Sequence, residues 1–226
     1  MTLSTPGAPR LAIFDCDGTL VDSGADICAA MDRSFARHGL PAPSHAATRR
    51  IVGLSLPQAM AALAPEHDAA LHDSLADGYK TAFHAMRGEG IVAEPLYEGI
   101  AEAIDALLAG GWKLGIATGK SDRGLSLCLE RHGLAGHFAT LQTADRHPSK
   151  PHPSMIDAAC AAAGVVPSRA AMIGDTSYDM AMARAAGSLA VGVAWGYHPP
   201  DELRRAGARH VAERPAELPA ILETLS

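Results

Sequence analysis

No two of the four cysteines, Cys16, Cys28, Cys128 and Cys160, stand in a Cys-x-x-Cys spacing; they read as reduced, mostly buried thiols of a reducing compartment. No stretch approaches the ~20 apolar residues that a membrane span requires. Met1 to Arg10 holds no apolar core of signal-peptide length, so the expected location is cytoplasmic. Positive charge is in deficit, with 19 Lys and Arg against 25 Asp and Glu, and the net charge of −6 leaves no basic footprint for a nucleic acid. Aromatic residues are only 4% of the chain, and neither an internal repeat nor a low-complexity linker interrupts it. No zipper pattern sets an assembly, so a monomer or a homodimer is expected. What is there, 226 residues of which 48% are hydrophobic, suffices for a real core in one large domain or two small ones.

Leu11-Ala12-Ile13-Phe14 is a short apolar run that reads as a buried strand and stops abruptly at Asp15-Cys16-Asp17-Gly18-Thr19. From about Asp22 to Val92 the pattern is helical. Ile27, Met31 and Phe35 form one apolar stripe, and Gly39 with Pro41 ends that helix. Ser55-Leu56-Pro57-Gln58 has the form of a capping box with proline in the first turn. A further helix is expected from near Pro65 into Tyr79–Met86, broken at Gly88-Glu89-Gly90. Then helices (97–109, 121–132, 153–163, 177–186) alternate with strands (112–117, 138–142, 170–173, 189–194), before a short helix near Pro200, a strand at 208–211 and a final helix. This alternation predicts a Rossmann-like α/β fold, a parallel sheet with helices on both faces. About 70 residues separate the first strand from the next βα unit, far more than a crossover needs. Residues 1–21 and 93–226 are therefore expected to form the core, and 22–92 a helical cap inserted over the carboxyl ends of the strands, where ligands bind in such sheets.

Three predicted strand ends carry polar motifs: Asp15 to Thr19, Thr118-Gly119, and Gly174-Asp175-Thr176-Ser177-Tyr178-Asp179. A parallel sheet brings them to one edge, where Asp15, Asp17, Asp175 and Asp179 converge. Such a cluster repels itself unless a hard cation compensates it, and Mg²⁺ is the usual partner beside a phosphate. Thr118 offers a hydroxyl, the helix beginning near Ser121 offers free N–H groups to an anion, and Lys150 in the loop Ser149-Lys150-Pro151 could reach the same edge as a point charge. Strand alternation should turn Cys16 away from its two flanking aspartates. The eleven histidines show no ligand spacing, and His147 and His152 read as surface residues.

The motifs Asp15-Cys16-Asp17-Gly18-Thr19-Leu20-Val21-Asp22, Ile116-Ala117-Thr118-Gly119, Lys150-Pro151 and Gly174-Asp175 through Asp179 occur in an order and spacing that resembles the haloacid dehalogenase-like superfamily, in its capped phosphatase branch. The resemblance runs from about Leu11 to the C-terminus. It implies a small phosphorylated metabolite as substrate and Mg²⁺ as cofactor. Asp15 would be the nucleophile, Asp17 the acid and base, and Thr118 and Lys150 the groups holding phosphoryl oxygens. The Asp15 side chain, the Asp17 carbonyl and Asp175 would hold the metal, with Asp179 supporting them. Gly18 would let the backbone approach the phosphate.

Substrate choice is expected from the cap, with Arg49, Arg50, Gly53 and Leu54 as candidate contacts beside Gly119 of the core. Within the family, Ile13 to Ser23, Gly53 to Leu56 and Met172 to Gly187 are most similar to phosphoglycolate phosphatases. Phosphomutase-like relatives carry a histidine ten residues after the second aspartate, where this chain has Ile27. Phosphonate-cleaving relatives use a cap-loop lysine, and here that loop reads Gly53-Leu54-Ser55. Pyrophosphate hydrolysis or phosphomutase chemistry is the alternative on the same fold; a non-catalytic phosphate-binding module would have lost a nucleophile, acid or metal ligand, and none is lost.

Overall fold

The computed structural model describes residues 10–225; residues 1–9, read above as free of an apolar leader, and Ser226 lie outside them. Six parallel strands make one sheet: β1 (Leu11–Phe14), β2 (Lys113–Thr118), β3 (Thr140–Thr143), β4 (Ala170–Gly174), β5 (Leu189–Val193) and β6 (His210–Ala212). Their order is β3-β2-β1-β4-β5-β6. The chain winds outward from β1 to β3, then returns to lay β4 on the other side of β1. The order thus reverses between β1 and β4, which is where such sheets open a crevice.

All four residues of β1 are buried, because the sheet is covered on both faces. Side chains alternate across it. Ala12 and Phe14 join one apolar cluster, with α5 (Ile100–Ala109), α6 (Asp122–Arg131) and α10 (Leu218–Leu225) packed on that face. Leu11 and Ile13 join a second cluster, covered by α7 (Ser154–Ala163), α8 (Ser177–Ala186) and α9 (Pro200–Ala206). Each fully buried Leu, Ile, Met or Phe in these layers contributes roughly 1.5–3 kcal/mol.

Between β1 and α5 lie α1 (Gly24–Arg37), α2 (His45–Arg50), α3 (Leu56–Leu63) and α4 (Ala69–Gly88). Ile27, Met31 and Phe35 are buried on one face of α1, as their spacing requires. The apolar residues of this insertion form clusters of their own, one around Met31, Phe35, Ile51, Met60 and Leu75 and a small one of Ala30, Met86 and Val92. The exit and return of the insertion run side by side: Asp22 N donates to Pro95 O at 2.9 Å and Tyr97 N to Leu20 O at 3.0 Å.

One local reading is refined and one changes. The six-residue helix α2, for which the sequence pattern sets no separate bounds, carries Arg49 and Arg50 in its last turn; Ser44 caps it by accepting from Ala47 N at 3.1 Å. The capping box at Ser55 does not form. Ser55 stands at the N-cap of α3 with Pro57 in the first turn, but its side chain accepts no cap hydrogen bond, and its backbone N–H donates to Ser149 Oγ at 2.8 Å. A tertiary partner across the cleft thus takes the donor that Gln58 was expected to satisfy.

Candidate active site

Asp15 leaves the end of β1 with its N–H still on the ladder, donating to Ile173 O at 2.9 Å. Its carboxylate is 1% exposed, and a buried turn from Cys16 to Val21 follows. Cys16 points the other way, into the apolar cluster, with Sγ 4.0 Å from Cys128 Sγ. All four cysteines are free and buried.

Asp175 follows β4, and Asp179 lies in the first turn of α8. Ligand atoms of Asp15, Asp175 and Asp179 all lie within 4.8 Å of one another. Lys150 joins them as a fully buried cation, with Nζ 2.9 Å from Asp15 Oδ2 and 2.7 Å from Asp179 Oδ1. The contact with Asp15 is an ion pair rather than an aligned hydrogen bond, so a buried carboxylate oxygen is left without a hydrogen-bond partner. Burial pushes the Asp15 carboxyl up to about 7; Lys150 pulls it down, and Asp179 and Asp17 raise it. Asp175 is held well above the usual carboxylate range, first by burial and then by Asp15 and Asp179, although the Tyr197 N–H and the Thr19 hydroxyl ease it. Burial works against the charge of Lys150, but Asp15 and Asp179 more than offset it and hold the ammonium above its usual range. Three carboxylates and one cation leave a net negative, oxygen-only pocket, the donor chemistry that suits a hard divalent ion.

Asp179 is both helix cap and site residue. Its Oδ2 accepts from Thr176 N and Oγ1 at 3.1 and 2.7 Å in a capping box, while Oδ1 faces Lys150. Thr19 Oγ1 donates to Asp175 Oδ1 at 2.9 Å, and Tyr197 N to Oδ2 at 2.8 Å. Gly18 has φ +82, and a Cβ there would strike Asp175 Oδ2 and the Tyr197 ring. Close packing against the acid thus also demands this glycine.

Asp17, expected to converge with the other three acids, is not in their group, because its carboxylate is held by other partners. Ser23 Oγ donates to its Oδ1 at 2.6 Å and Lys120 Nζ at 2.8 Å. Among the described residues Oδ2 has no hydrogen-bond partner. Lys120 also donates to Glu94 Oε1 at 2.8 Å, and Arg87 Nη2 to Glu94 Oε2 at 2.6 Å. Glu94 is fully buried at φ +38, a left-handed conformation unusual for a residue with a Cβ, in the return linker of the insertion. Thr118, at the end of β2, is buried, and its hydroxyl accepts from Lys120 N at 3.2 Å. The lysine loop is pinned by His147, whose ring nitrogens lie 2.8 Å from Ser154 Oγ and from Gln142 Oε1, whereas His152 is exposed. His147 is thus half-buried rather than the surface residue its sequence context implied.

The candidate contacts of the insertion separate. Gly53 and Leu54 sit directly over Gly119: a Cβ on Gly119 would lie 2.8 Å from Gly53 O and 2.7 Å from Leu54 O. Arg50 points to solvent and grips Glu202 of the core, with its two nitrogens 2.6 and 3.0 Å from the carboxylate. That pair holds Glu202 down to about 2, first through the Arg50 hydrogen bond. Arg49 is exposed beside the start of α1. Neither arginine lines the cavity between insertion and core; Lys80, Arg87, Lys120 and Arg123 do. Lys120, Glu94, Ser149 and Tyr197 were not anticipated. Lys120, next to Thr118-Gly119, and Ser149, next to Lys150, carried a local signal; Glu94 and Tyr197 carried none.

The family model described as haloacid dehalogenase-like hydrolase matches residues 12–193. The chain belongs to that family. A phosphoglycolate phosphatase from Xylella fastidiosa is 32% identical over 201 residues, covering 87% of this chain and 86% of that protein. An N-acetylmuramic acid 6-phosphate phosphatase from Pseudomonas aeruginosa is 31% identical over 218 residues, 95% of each. Among solved structures, a predicted phosphatase from Clostridium acetobutylicum superposes with a TM-score of 0.85 at 27% identity, over 95% of this chain and 99% of that one. This hydrolase therefore shares its fold and family with phosphatases. No helix among the described residues is long and apolar enough to cross a membrane.

Proposed function

We propose that this hydrolase cleaves small phosphate monoesters through an aspartyl-phosphate on Asp15. The observation that carries the reading is Lys150, buried between Asp15 and Asp179 beside Asp175. A carboxylate attacks a phosphate dianion only where the charge of both is offset, and phosphoryl transfer draws most of its rate from such positioning.

Asp15, Asp175 and Asp179 would hold Mg²⁺ together with the Asp17 carbonyl; the buried oxygen of Asp15 without a hydrogen bond and the mutually raised carboxyls fit that group. When bound, it would neutralise charge on the phosphoryl oxygens. Thr118 and Lys150 hold and orient the phosphoryl group. The Asp15 carboxylate attacks phosphorus, and the bond from phosphorus to the alcohol oxygen breaks as Asp17 gives that oxygen its proton. Asp17 then takes a proton from a water, whose oxygen attacks the phosphoaspartate and releases inorganic phosphate with Asp15 restored. Ser23 and Lys120 grip only one oxygen of Asp17, which fixes the side chain and leaves the other for the proton. The insertion of residues 22–92 would act as a cap that excludes bulk water while the ester is cleaved, leaving room for the one water that Asp17 activates.

The named relatives act on a two-carbon acid and on a sugar phosphate, so kinship at this level leaves the ester open. The test is phosphate release from a panel containing 2-phosphoglycolate, N-acetylmuramic acid 6-phosphate and pyrophosphate, with Mg²⁺ or with chelator, and with Asp15→Asn as blank. Release that needs Mg²⁺ and Asp15 supports the reading. Release that persists in Asp15→Asn sinks it.

A further inference from the structure

A cavity of about 320 Å³ opens from Asp17, Gly119 and Lys120 into the space between the insertion and α6. It lies at the lower end of the volumes of small-molecule sites, roughly 300–1,000 Å³. Its walls are largely hydrocarbon: Ile27 and Met31 from α1, Ile51 and Val52 after α2, Phe83 from α4, and Leu127 from α6. Tyr79 of α4 also lines it, and its hydroxyl has no hydrogen-bond partner among the described residues. Of its charged lining groups, Lys120 is consumed by Asp17 and Glu94, Arg87 by Glu94 and Lys80 by Asp77, and Lys80, His84 and Arg123 are exposed, at the solvent side of the chamber rather than in its apolar wall.

Asp17 belongs both to the catalytic group and to this cavity. The oxygen it protonates is the ester oxygen, and whatever that oxygen carries must extend from Asp17 into the cavity. We propose that the chamber receives the leaving group, and that the substrates are phosphate monoesters of alcohols with an extended apolar or aromatic body. The inference rests on the reading of Asp17 given above. A two-carbon acid would leave these walls unfilled. A sugar would bury several hydroxyls against Ile27, Met31, Ile51, Val52 and Leu127, which offer no hydrogen bond, at a cost for each unpaired group. An apolar body forfeits nothing there and gains contact along its length.

The test separates binding from turnover. Equilibrium affinities of methyl-, butyl- and hexylphosphonate, which cannot be hydrolysed, are measured with Mg²⁺ by calorimetry. The kcat/KM values of methyl, butyl, hexyl and benzyl phosphate are measured beside those of 2-phosphoglycolate. The unsubstituted alkyl leaving groups differ little in chemical reactivity, so the series reports the chamber. Affinity and kcat/KM should each rise by up to about fourfold per methylene. Leu127→Trp, half-buried on α6 and filling the chamber, should flatten the rise. Equal affinity along the phosphonate series overturns the proposal even if every ester is hydrolysed. A steep phosphonate series with no ester hydrolysed upholds the chamber and overturns the phosphatase reading instead.

Discussion

Lys150 Nζ lies 2.7 Å from Asp179 Oδ1, and both side chains are fully buried. Two residues 29 places apart along the chain thus share one charge pair at the floor of the crevice, within reach of Asp15. The pair makes the site a folded-state electrostatic balance as well as a catalytic one.

Removing the cation should expose that balance. Lys150→Met leaves Asp15, Asp175 and Asp179 unneutralised, and breaking such a buried pair costs about 3–5 kcal/mol. The loss should be partly recovered by millimolar Mg²⁺, because an ion that binds only the folded state stabilises it. Urea unfolding with and without Mg²⁺ checks this; an equal loss in both conditions would refute the charge argument.

Divalent binding should release protons. Asp15 is pushed up to about 7 by burial, opposed by Lys150 and reinforced by Asp179 and Asp17, so the metal-free protein holds a proton there below that pH. A bound cation needs the ionised form and expels it. Calorimetry of Mg²⁺ binding in buffers of different ionisation enthalpy should therefore show more proton release at pH 6 than at pH 8, and weaker apparent affinity at pH 6. Proton release that is the same at both values would contradict the raised carboxyl.

The same shift carries a stability sign. Where a folded carboxyl is raised above its unfolded value, the folded state binds more protons, and stability grows as pH falls through the folded pKa. Metal-free protein should thus be more stable at pH 6 than at pH 8 with respect to Asp15 and Asp175. Asp175→Asn removes one of the opposed charges while keeping its partners, since the Thr19 hydroxyl can reverse its role and Tyr197 N–H still finds an oxygen. We expect this variant to lose activity yet to melt about 2–4 °C higher without metal, the change that corresponds to about 1 kcal/mol at this size. Scanning calorimetry in chelator decides it.

Seating of the insertion should be sensitive to one methyl group. Gly119→Ala would drive a Cβ into Gly53 O and Leu54 O, whereas Gly136→Ala meets nothing within 4 Å. The first should lower kcat/KM about tenfold or more by lifting the loop from the core, and the second should change it little. Steady-state kinetics of the pair checks the prediction, with circular dichroism to confirm that both variants fold.

Much of the catalytic edge could be read from local pattern. The apolar run Leu11 to Phe14 ending in Asp15, and the strand ending at Gly174-Asp175, need only side-chain alternation and a sheet edge to bring two acids together. The capping box of Thr176 and Asp179 is likewise local, three residues apart. Ser55 shows where local pattern fails: Gln58 stands at the right spacing, yet Ser149, 94 residues away, wins the donor.

The sequence by itself therefore determined the α/β core, the insertion after β1 and the chemical type of the cluster, because strand and helix periodicity and turn chemistry act over a few residues. Tertiary structure alone decided that Lys120 bridges Asp17 and Glu94, that Arg50 reaches across to Glu202 rather than into the cavity, and that an apolar chamber opens beside the acid. Those outcomes depend on how the insertion docks on the sheet. Docking is set by packing between surfaces distant in sequence, where no short-range period carries information.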